Sequence, residues 1–171
     1  MKYKPMLAYP VSKKPIDYSK PVFIQPKLDG VRCLIQYQNP GGIGFHGQVI
    51  AYSRTGKEWK NINHILAELV PFFNKYPNVV LDGELYNHDF KDDFESIISM
   101  VRKTKPTDID RLISRENVQF HCYDIVASVC NYEERRKFIV QNLPLSYCIN
   151  GLFTQLVSSE KEAKELHKKF L

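Results

Sequence analysis

Short apolar runs with a period of two predict several β-strands near the start of the chain. The stretch VRCLIQYQ, beginning at Val31, places Val, Cys and Ile at every second position, which is the spacing of a half-buried strand. The run PVFIQPK before it and the run FHGQVIAYSR at 45–54 are further predicted strands, separated by turns at 28–30 and 39–44. Three strands in succession predict an antiparallel sheet in which the first two form a hairpin.

Apolar residues at helical spacing predict four helices among further strands. The first helix covers 61–74, with Asn61 as its N-cap. Its predicted buried face contains Ile62, Ile65, Leu66, Leu69 and Phe73. The segments DDFESIISMVRK and NYEERRKFIVQNL are the next two helices. A final Lys-rich helix begins with a capping box at 159–162. Apolar strands at 78–86 and 117–126 and a strand-like CINGLFTQLV complete the pattern. The mixture predicts an α+β fold, with antiparallel sheets flanked by helices.

Composition narrows the class of protein. The 171 residues are 43% hydrophobic and 25% charged, with a formal net charge of +5, as expected for one globular domain that could bind a polyanion. The four cysteines show no C-x-x-C spacing, so reduced thiols of a cytoplasmic protein are expected, without a disulfide framework or cysteine metal site. No apolar run approaches the roughly 18 residues of a membrane span, and no membrane association is expected.

Lys27 is the first candidate for chemistry. It stands in QPKLDGVR, between an apolar run and an Asp-Gly turn. A lysine amine attacks only when neutral, and its ordinary pKa is about 10.4, so a nucleophilic lysine needs burial, neighbouring cations or a metal. The apolar run would limit the solvation of Lys27, Arg32 could face the same site, and Gly30 would keep the space beside the lysine clear. Taken alone, Lys-x-Asp-Gly is more typical of a surface hairpin than of a catalytic lysine.

Three later clusters add polar groups of the kind a nucleotide site uses. Asp82 and Glu84 in LDGELY can share one face of a strand, as metal ligation or a contact with a ribose hydroxyl requires, although a hairpin tip is the simpler interpretation. Arg54 stands beside Gly56 and Lys57 in YSRTGKE, a group suited to holding phosphate oxygens, although a solvated basic turn is the simpler interpretation. Tyr123 in FHCYDIV is either a core aromatic or a ring that stacks on a base.

The order of these motifs resembles a known superfamily. Lys-x-Asp-Gly-x-Arg, Ser-Arg-x-Gly, Asp-Gly-Glu and Tyr-Asp-Ile are similar to the motifs of covalent nucleotidyltransferases, above all to the adenylation domain of ATP-dependent DNA ligases in small viral and phage forms. The resemblance covers residues 5 to about 126. It implies an ATP-grasp-like nucleotidyltransferase fold and a single adenylation domain over 1–171.

The resemblance also implies a reaction. Lys27 would attack the α-phosphorus of ATP, hold AMP as a phosphoramidate and pass it to the 5′-phosphate of nicked double-stranded DNA, with Mg²⁺ or another divalent metal, in DNA repair, replication or recombination. Asp29 would orient the motif loop. The other implied site residues are Gln25 and Pro26 for the adenine edge, Arg32 for the ribose and then the nick phosphate, Arg54 for phosphate or the DNA end, Glu84 for the ribose or the metal, and Tyr123 for stacking on adenine.

Two further motifs of the family are missing. From Ala127 onward there is no Glu-Gly strand and no Lys-x-Lys pair, and no C-terminal OB-fold follows. We therefore expect a C-terminally incomplete adenylation domain, which a missing C-terminal region or a second chain would complete, with weak or absent nick sealing by the chain alone. A fragment of a longer chain and one half of a split enzyme both remain open.

Two other functions remain open at this point. An mRNA-capping guanylyltransferase or an RNA ligase shares the lysine motif, although Gln25 and Tyr123 favour adenine and a DNA ligase. A nucleotide- or DNA-binding module without catalytic activity would bind the nucleotide without a covalent adduct.

Overall fold

The computed structural model describes residues 5–6, 9–39, 47–126 and 130–170. The chain divides into two compact units, of which the larger covers 28–151 and the smaller combines 5–27 with 152–171. No helix in the described part of the chain is long and apolar enough to cross a bilayer.

The larger unit is built on a five-stranded sheet. Its strands lie in the order β3 (Gln48–Tyr52), β2 (Val31–Gln38), β4 (Val80–Tyr86), β5 (Gln119–Val126) and β6 (Ile149–Gly151). All neighbouring strands are antiparallel except β5 and β6, which run parallel. This mixed sheet with helices confirms the predicted α+β class. The elements are β2 (Val31–Gln38), β3 (Gln48–Tyr52), α1 (Asn63–Lys75), β4 (Val80–Tyr86), a 3₁₀ turn (His88–Phe90), α2 (Phe94–Val101), α3 (Asp108–Asn117), β5 (Gln119–Val126), α4 (Tyr132–Asn142) and β6 (Ile149–Gly151).

The core of the larger unit lies between the sheet and its helices. Ile65, Leu69 and Phe73 of α1 recur every four residues on one helix face and are completely buried. They belong to one apolar cluster with strand residues such as Ile35 and Leu81. The helical spacing seen in the sequence therefore predicted the correct buried face.

The predicted start of α1 is wrong. Ile62 takes the N-cap position without a side-chain cap, whereas Asn61 is buried and donates its amide to the carbonyls of Met100 (2.8 Å) and Asp110 (3.1 Å). Through these two hydrogen bonds, the Asn61 side chain links α2 to α3. Asparagine favours N-cap positions, but the Asn61 side chain instead binds residues that are distant in sequence. The local sequence does not reveal such contacts.

The smaller unit corrects the predicted hairpin. Its first strand, β1 (Val22–Ile24), pairs antiparallel with β7 (Gln155–Val157) rather than with β2. Pro26 follows β1 closely, and because proline lacks the N–H that a ladder requires, the strand does not extend into a β1–β2 hairpin. Helix α5 (Glu160–Phe170) packs Ala163 and Leu166 into the small core of this unit.

One predicted helix cap is only partly formed, and one capped helix was not predicted. The Ser159 hydroxyl accepts the Glu162 N–H, but the Glu162 carboxylate accepts from Ser158 rather than Ser159, so the predicted box is only half formed. Helix α3 was missed, although Thr107 and Asp110 form a complete capping box. Most of the turn cluster predicted at 39–44 lies outside the described residues.

Candidate functional site

A cleft of about 710 Å³ opens in the larger unit where β2, β3 and β4 approach α2. Four basic and two acidic side chains line it, which leaves two positive charges in excess. An excess of cations in a concave site favours an anionic ligand such as a phosphate group. The charged lining residues are Arg32, Arg54, Lys57, Arg102, Glu58 and Glu84.

A tight turn presents Arg54 to this cleft. The Gly56 N–H donates to the Ser53 carbonyl (3.0 Å), and the Ser53 N–H donates to the Lys57 carbonyl (2.7 Å). Gly56 has φ 82°, a left-handed conformation that side chains disfavour. The Ser-Arg-x-Gly motif is therefore a turn whose glycine is required by the backbone, and it leaves the Arg54 side chain exposed.

Arg32 is fixed by a two-point ion pair with Asp82. Its Nε lies 2.6 Å from Asp82 Oδ1 and its Nη2 lies 2.6 Å from Oδ2, the fork geometry that makes arginine–carboxylate pairs strong. Although burial opposes the charged form of Arg32, the hydrogen bond and charge of Asp82 raise its pKa. Burial raises the pKa of Asp82, and its pairing with Arg32 opposes that shift. Asp82 thus serves to hold Arg32.

Tyr123 and Glu84 complete this group. The Arg32 Cζ lies 4.9 Å from the centre of the Tyr123 ring, and the Tyr123 hydroxyl donates to Glu84 Oε2 at 3.5 Å. Burial, with the charge of Asp82, raises the Tyr123 pKa, so the phenol stays neutral. The structure brings together Arg32, Glu84 and Tyr123 as the motif order suggested, and their roles toward a ligand remain predictions.

A β-bulge places Tyr123. Along β4 and β5, Asp82 pairs with Asp124 whereas Gly83 pairs with Cys122, so Tyr123 is an extra residue on β5. Bulges redirect side chains and increase the local twist. The bulge was not visible in the alternation of FHCYDIV.

The lysine motif spans the boundary between the two units, and Lys27 belongs to the smaller one. Lys27 is exposed, so the prediction that the preceding apolar run would limit its solvation is wrong. The Gln25 amide donates to the Thr154 hydroxyl at 3.0 Å, which fixes its orientation, and Pro26 is half-buried. Asp29 lies across the boundary, in the larger unit.

Several groups around the cleft were missed from the sequence. Arg102 adds a cation to its lining, and the Trp59 indole donates to the Arg32 carbonyl at 3.3 Å. Arg135 of α4 holds Asp124 through two hydrogen bonds. No local pattern points to these three residues, whereas Lys57 was recognised beside Arg54 in YSRTGKE and also lines the cleft.

The described residues contain no group of three or more His, Cys, Asp or Glu side chains able to hold a metal ion. Of the two carboxylates in LDGELY, Asp82 is already engaged by Arg32, which leaves Glu84 to fit the predicted metal. Mg²⁺ commonly binds through one or two carboxylates, with phosphates and waters as its other ligands. The residues present therefore fit a metal that arrives with a phosphate ligand.

His121 predicts a pH dependence of stability. It lies on β5, with its ring centre 5.4 Å from that of Tyr86, and burial together with His88 lowers its pKa to about 4. Because the unfolded chain binds this proton near the ordinary pKa of about 6.5, the stabilisation is present above that pH and is lost as pH falls toward 4. In urea titrations between those values, we expect His121→Gln to flatten the dependence.

The matched control is His167→Gln, which removes an exposed histidine of α5. It should keep the wild-type slope of unfolding free energy against pH. An unchanged slope in His121→Gln would show that His121 makes no such contribution.

Comparisons with known proteins agree on the fold. The family model described as ATP dependent DNA ligase domain matches residues 5–171. A solved structure described as Pmar-Lig_Pre has a TM-score of 0.68 at 22% identity and covers 96% of this chain. A structure from work on Lig E DNA ligases has a TM-score of 0.66 at 17% identity, with 99% of this chain covered. An archaeal ATP-dependent RNA ligase has a TM-score of 0.53 at 19% identity, with 85% of this chain covered.

The matched structures are longer than this chain. It spans 39% of the Pmar-Lig_Pre chain, 57% of the Lig E chain and 34% of the archaeal RNA ligase chain. A comparison with curated proteins finds no match.

Proposed function

Because the chain belongs to the ATP-dependent DNA ligase domain family, we propose that it forms lysyl-AMP on Lys27 from ATP, the intermediate that adenylates a nick in double-stranded DNA. The observation that carries this proposal is the basic cleft of about 710 Å³, which Arg32 and Arg54 of the predicted motifs line. Such a space is of the size that small-molecule sites occupy.

The proposed step is an in-line displacement at phosphorus. The neutral Lys27 amine attacks the α-phosphorus of ATP, a P–N bond forms, and the bond to the β-phosphate oxygen breaks. Pyrophosphate leaves with that electron pair, and the nitrogen gives up a proton. This chemistry needs little from the protein beyond positioning and charge neutralisation, which Arg32 and Arg54 would supply.

The remaining roles follow the family motifs. Gln25 and Pro26 would recognise the adenine edge, a role that suits an amide already oriented by Thr154. Tyr123 would stack on adenine as a neutral phenol, and Glu84 would bind the ribose or the metal. A divalent metal such as Mg²⁺, held by Glu84 and by phosphate oxygens, would neutralise part of the charge on the triphosphate.

Nick sealing is proposed for a larger assembly than these 171 residues. The Glu-Gly and Lys-x-Lys motifs expected of the family do not occur from Ala127 onward, and the matched structures are longer. We infer that another region of the protein or a second chain supplies them. The net charge of +5 supports a polyanionic partner such as DNA.

Intact-mass measurement after incubation with ATP and Mg²⁺ tests the proposal. We expect one AMP adduct on the wild-type chain and none on Lys27→Ala, because only this amine is proposed to attack. Lys20→Ala removes another exposed lysine of the same unit and should keep the adduct.

Three results would overturn this assignment. An adduct that persists in Lys27→Ala would place the chemistry elsewhere. An adduct formed from GTP rather than ATP would favour the capping guanylyltransferase. Stabilisation by ATP without any adduct would favour the non-catalytic binding module.

A further inference from the structure

Two carboxylates are paired across neighbouring strands of the sheet. Asp82 of β4 and Asp124 of β5 are directly paired across the sheet, where side chains lie close together and like charges destabilise. The charge of Asp124 contributes to raising the pKa of Asp82. Two such carboxylates remain together only if each has its own cation.

Each carboxylate has one arginine. Arg32 binds Asp82 through two hydrogen bonds of 2.6 Å. Arg135 binds Asp124 in the same two-point manner, with Nε 2.7 Å from Oδ1 and Nη2 3.0 Å from Oδ2. The first arginine belongs to the cleft, whereas the second comes from helix α4, and it does not line the cleft.

Residues at the start of α4 contact both the Arg135 side chain and the β-bulge at Tyr123. The Arg135 Nη1 donates to the Cys130 carbonyl at 2.8 Å, and its guanidinium lies 5.4 Å from the centre of the Tyr132 ring. The Tyr132 hydroxyl donates to the carbonyl of Tyr123 at 3.4 Å. Arg135 is therefore oriented from several sides.

Removing Arg135 would create a competition. Asp124 would keep its negative charge beside Asp82 but lose its cation, and Arg32 is the other arginine paired to a carboxylate at this point of the sheet. The Nε and Nη2 edge of Arg32 is occupied by Asp82, and one such edge binds one carboxylate at a time in the two-point geometry. Arg32 would therefore be divided between Asp82 and Asp124. It would then leave its position over Tyr123 and near Glu84.

We propose that Arg135 is a positioning residue of the nucleotide site: by neutralising Asp124 it keeps Arg32 on Asp82 and thus in place over Tyr123. This role rests on the proposed function insofar as Arg32 contacts the nucleotide. The geometry of Arg32 itself does not depend on that function.

The first test follows Arg32 directly by ¹H–¹⁵N NMR of its Nε–H group, with the signal assigned by its loss in Arg32→Lys. In Arg135→Gln, we expect the signal to shift or broaden because Arg32 exchanges between two carboxylates. Lys137→Gln removes one exposed positive charge from the same helix and should leave the signal unchanged. An unchanged Arg32 signal in Arg135→Gln would overturn the proposal.

The second test removes the charge of Asp124, the carboxylate that competes with Asp82 for Arg32. In Arg135→Gln with Asp124→Asn, the amide no longer attracts Arg32, so the Arg32 signal should return to its wild-type position. If Arg135 served only to anchor α4, the double variant would remain as perturbed as Arg135→Gln. That result would overturn the positioning role even if both variants fold, which thermal unfolding would verify.

The functional readout is the ATP concentration that gives half-maximal adduct on Lys27. We expect it to rise about tenfold in Arg135→Gln, the scale of one lost charge-assisted contact, and to return within about twofold of wild type in the double variant. A wild-type chain without an adduct would contradict the proposed function, while the NMR result would still decide the role of Arg135.

Discussion

Replacement of Arg32 by glutamine lowers the free energy of unfolding by about 3 kcal/mol, because it leaves the Asp82 carboxylate buried without its cation. Asp82 is only 8% exposed, so little water reaches it to replace the two hydrogen bonds that Arg32 donates. The expected loss lies at the lower end for buried pairs, since the Arg32 side chain keeps 24% of its exposure.

Urea denaturation of matched variants measures this loss. Arg54→Gln removes an exposed arginine of the same cleft and should change stability by less than about 0.5 kcal/mol. Arg32→Gln combined with Asp82→Asn should recover most of the loss, because no unpaired charge remains. A loss in Arg32→Gln no larger than in Arg54→Gln would show that the pair contributes little.

The stability loss should also depend on pH. Burial already raises the pKa of Asp82 above its ordinary value, and without Arg32 this carboxyl would take up a proton still more readily. A carboxyl with a raised folded-state pKa favours the folded state in acid, and that contribution is lost as pH rises through the folded-state pKa. The difference between Arg32→Gln and wild type should therefore shrink as pH falls toward 4.

Replacement of Gly83 by alanine lowers the free energy of unfolding by about 3 kcal/mol, the upper range for overpacking a core. A Cβ at this position would clash with the carbonyl oxygen of His121 and approach Phe120 Cε2 at 2.5 Å and Cζ at 2.7 Å. The His121 carbonyl belongs to the interior strand β5, which is paired on both sides, so it cannot move away without disturbing the sheet.

Gly151→Ala is the matched control in the same sheet. Its Cβ would come no nearer than 4.0 Å to Ile139 Cγ2, and the substitution reduces the freedom of the unfolded chain. Thermal or urea unfolding should find it unchanged or slightly more stable than wild type. Equal effects in the two alanine variants would contradict the close packing at Gly83.

The sequence predicted the elements whose signals are local. The face of α1 that contains Ile65 and Leu69 was correct, because helical spacing and burial depend on neighbours within two turns. Asn61 was wrongly assigned as its N-cap, because the amide binds carbonyls of Met100 and Asp110 that are distant in sequence. The Thr-x-x-Asp spacing of Thr107 and Asp110 is typical of a helix start, but helix α3 was not predicted from it.

The residues of the candidate site also fall into two groups, those that a local motif identifies and those that only the structure identifies. Arg32, Arg54, Glu84 and Tyr123 could be selected because each stands in a short motif, and the structure places Arg32, Glu84 and Tyr123 in mutual contact or in one cleft. Arg135 could not be selected from the sequence, because it is one of several charged residues in its helix. Its contact with Asp124 on β5 is visible only in the structure.

The sequence by itself determined the α+β class, most strand and helix positions and the family motifs, because alternation, helical spacing and turn residues act over a few neighbouring positions. Tertiary structure alone decided that β1 pairs with β7, that a bulge carries Tyr123, and that Asp82 and Asp124 each take a separate arginine. Strand pairing and ion-pair choice depend on distances between segments far apart in the chain, and those distances are set only when the chain has folded.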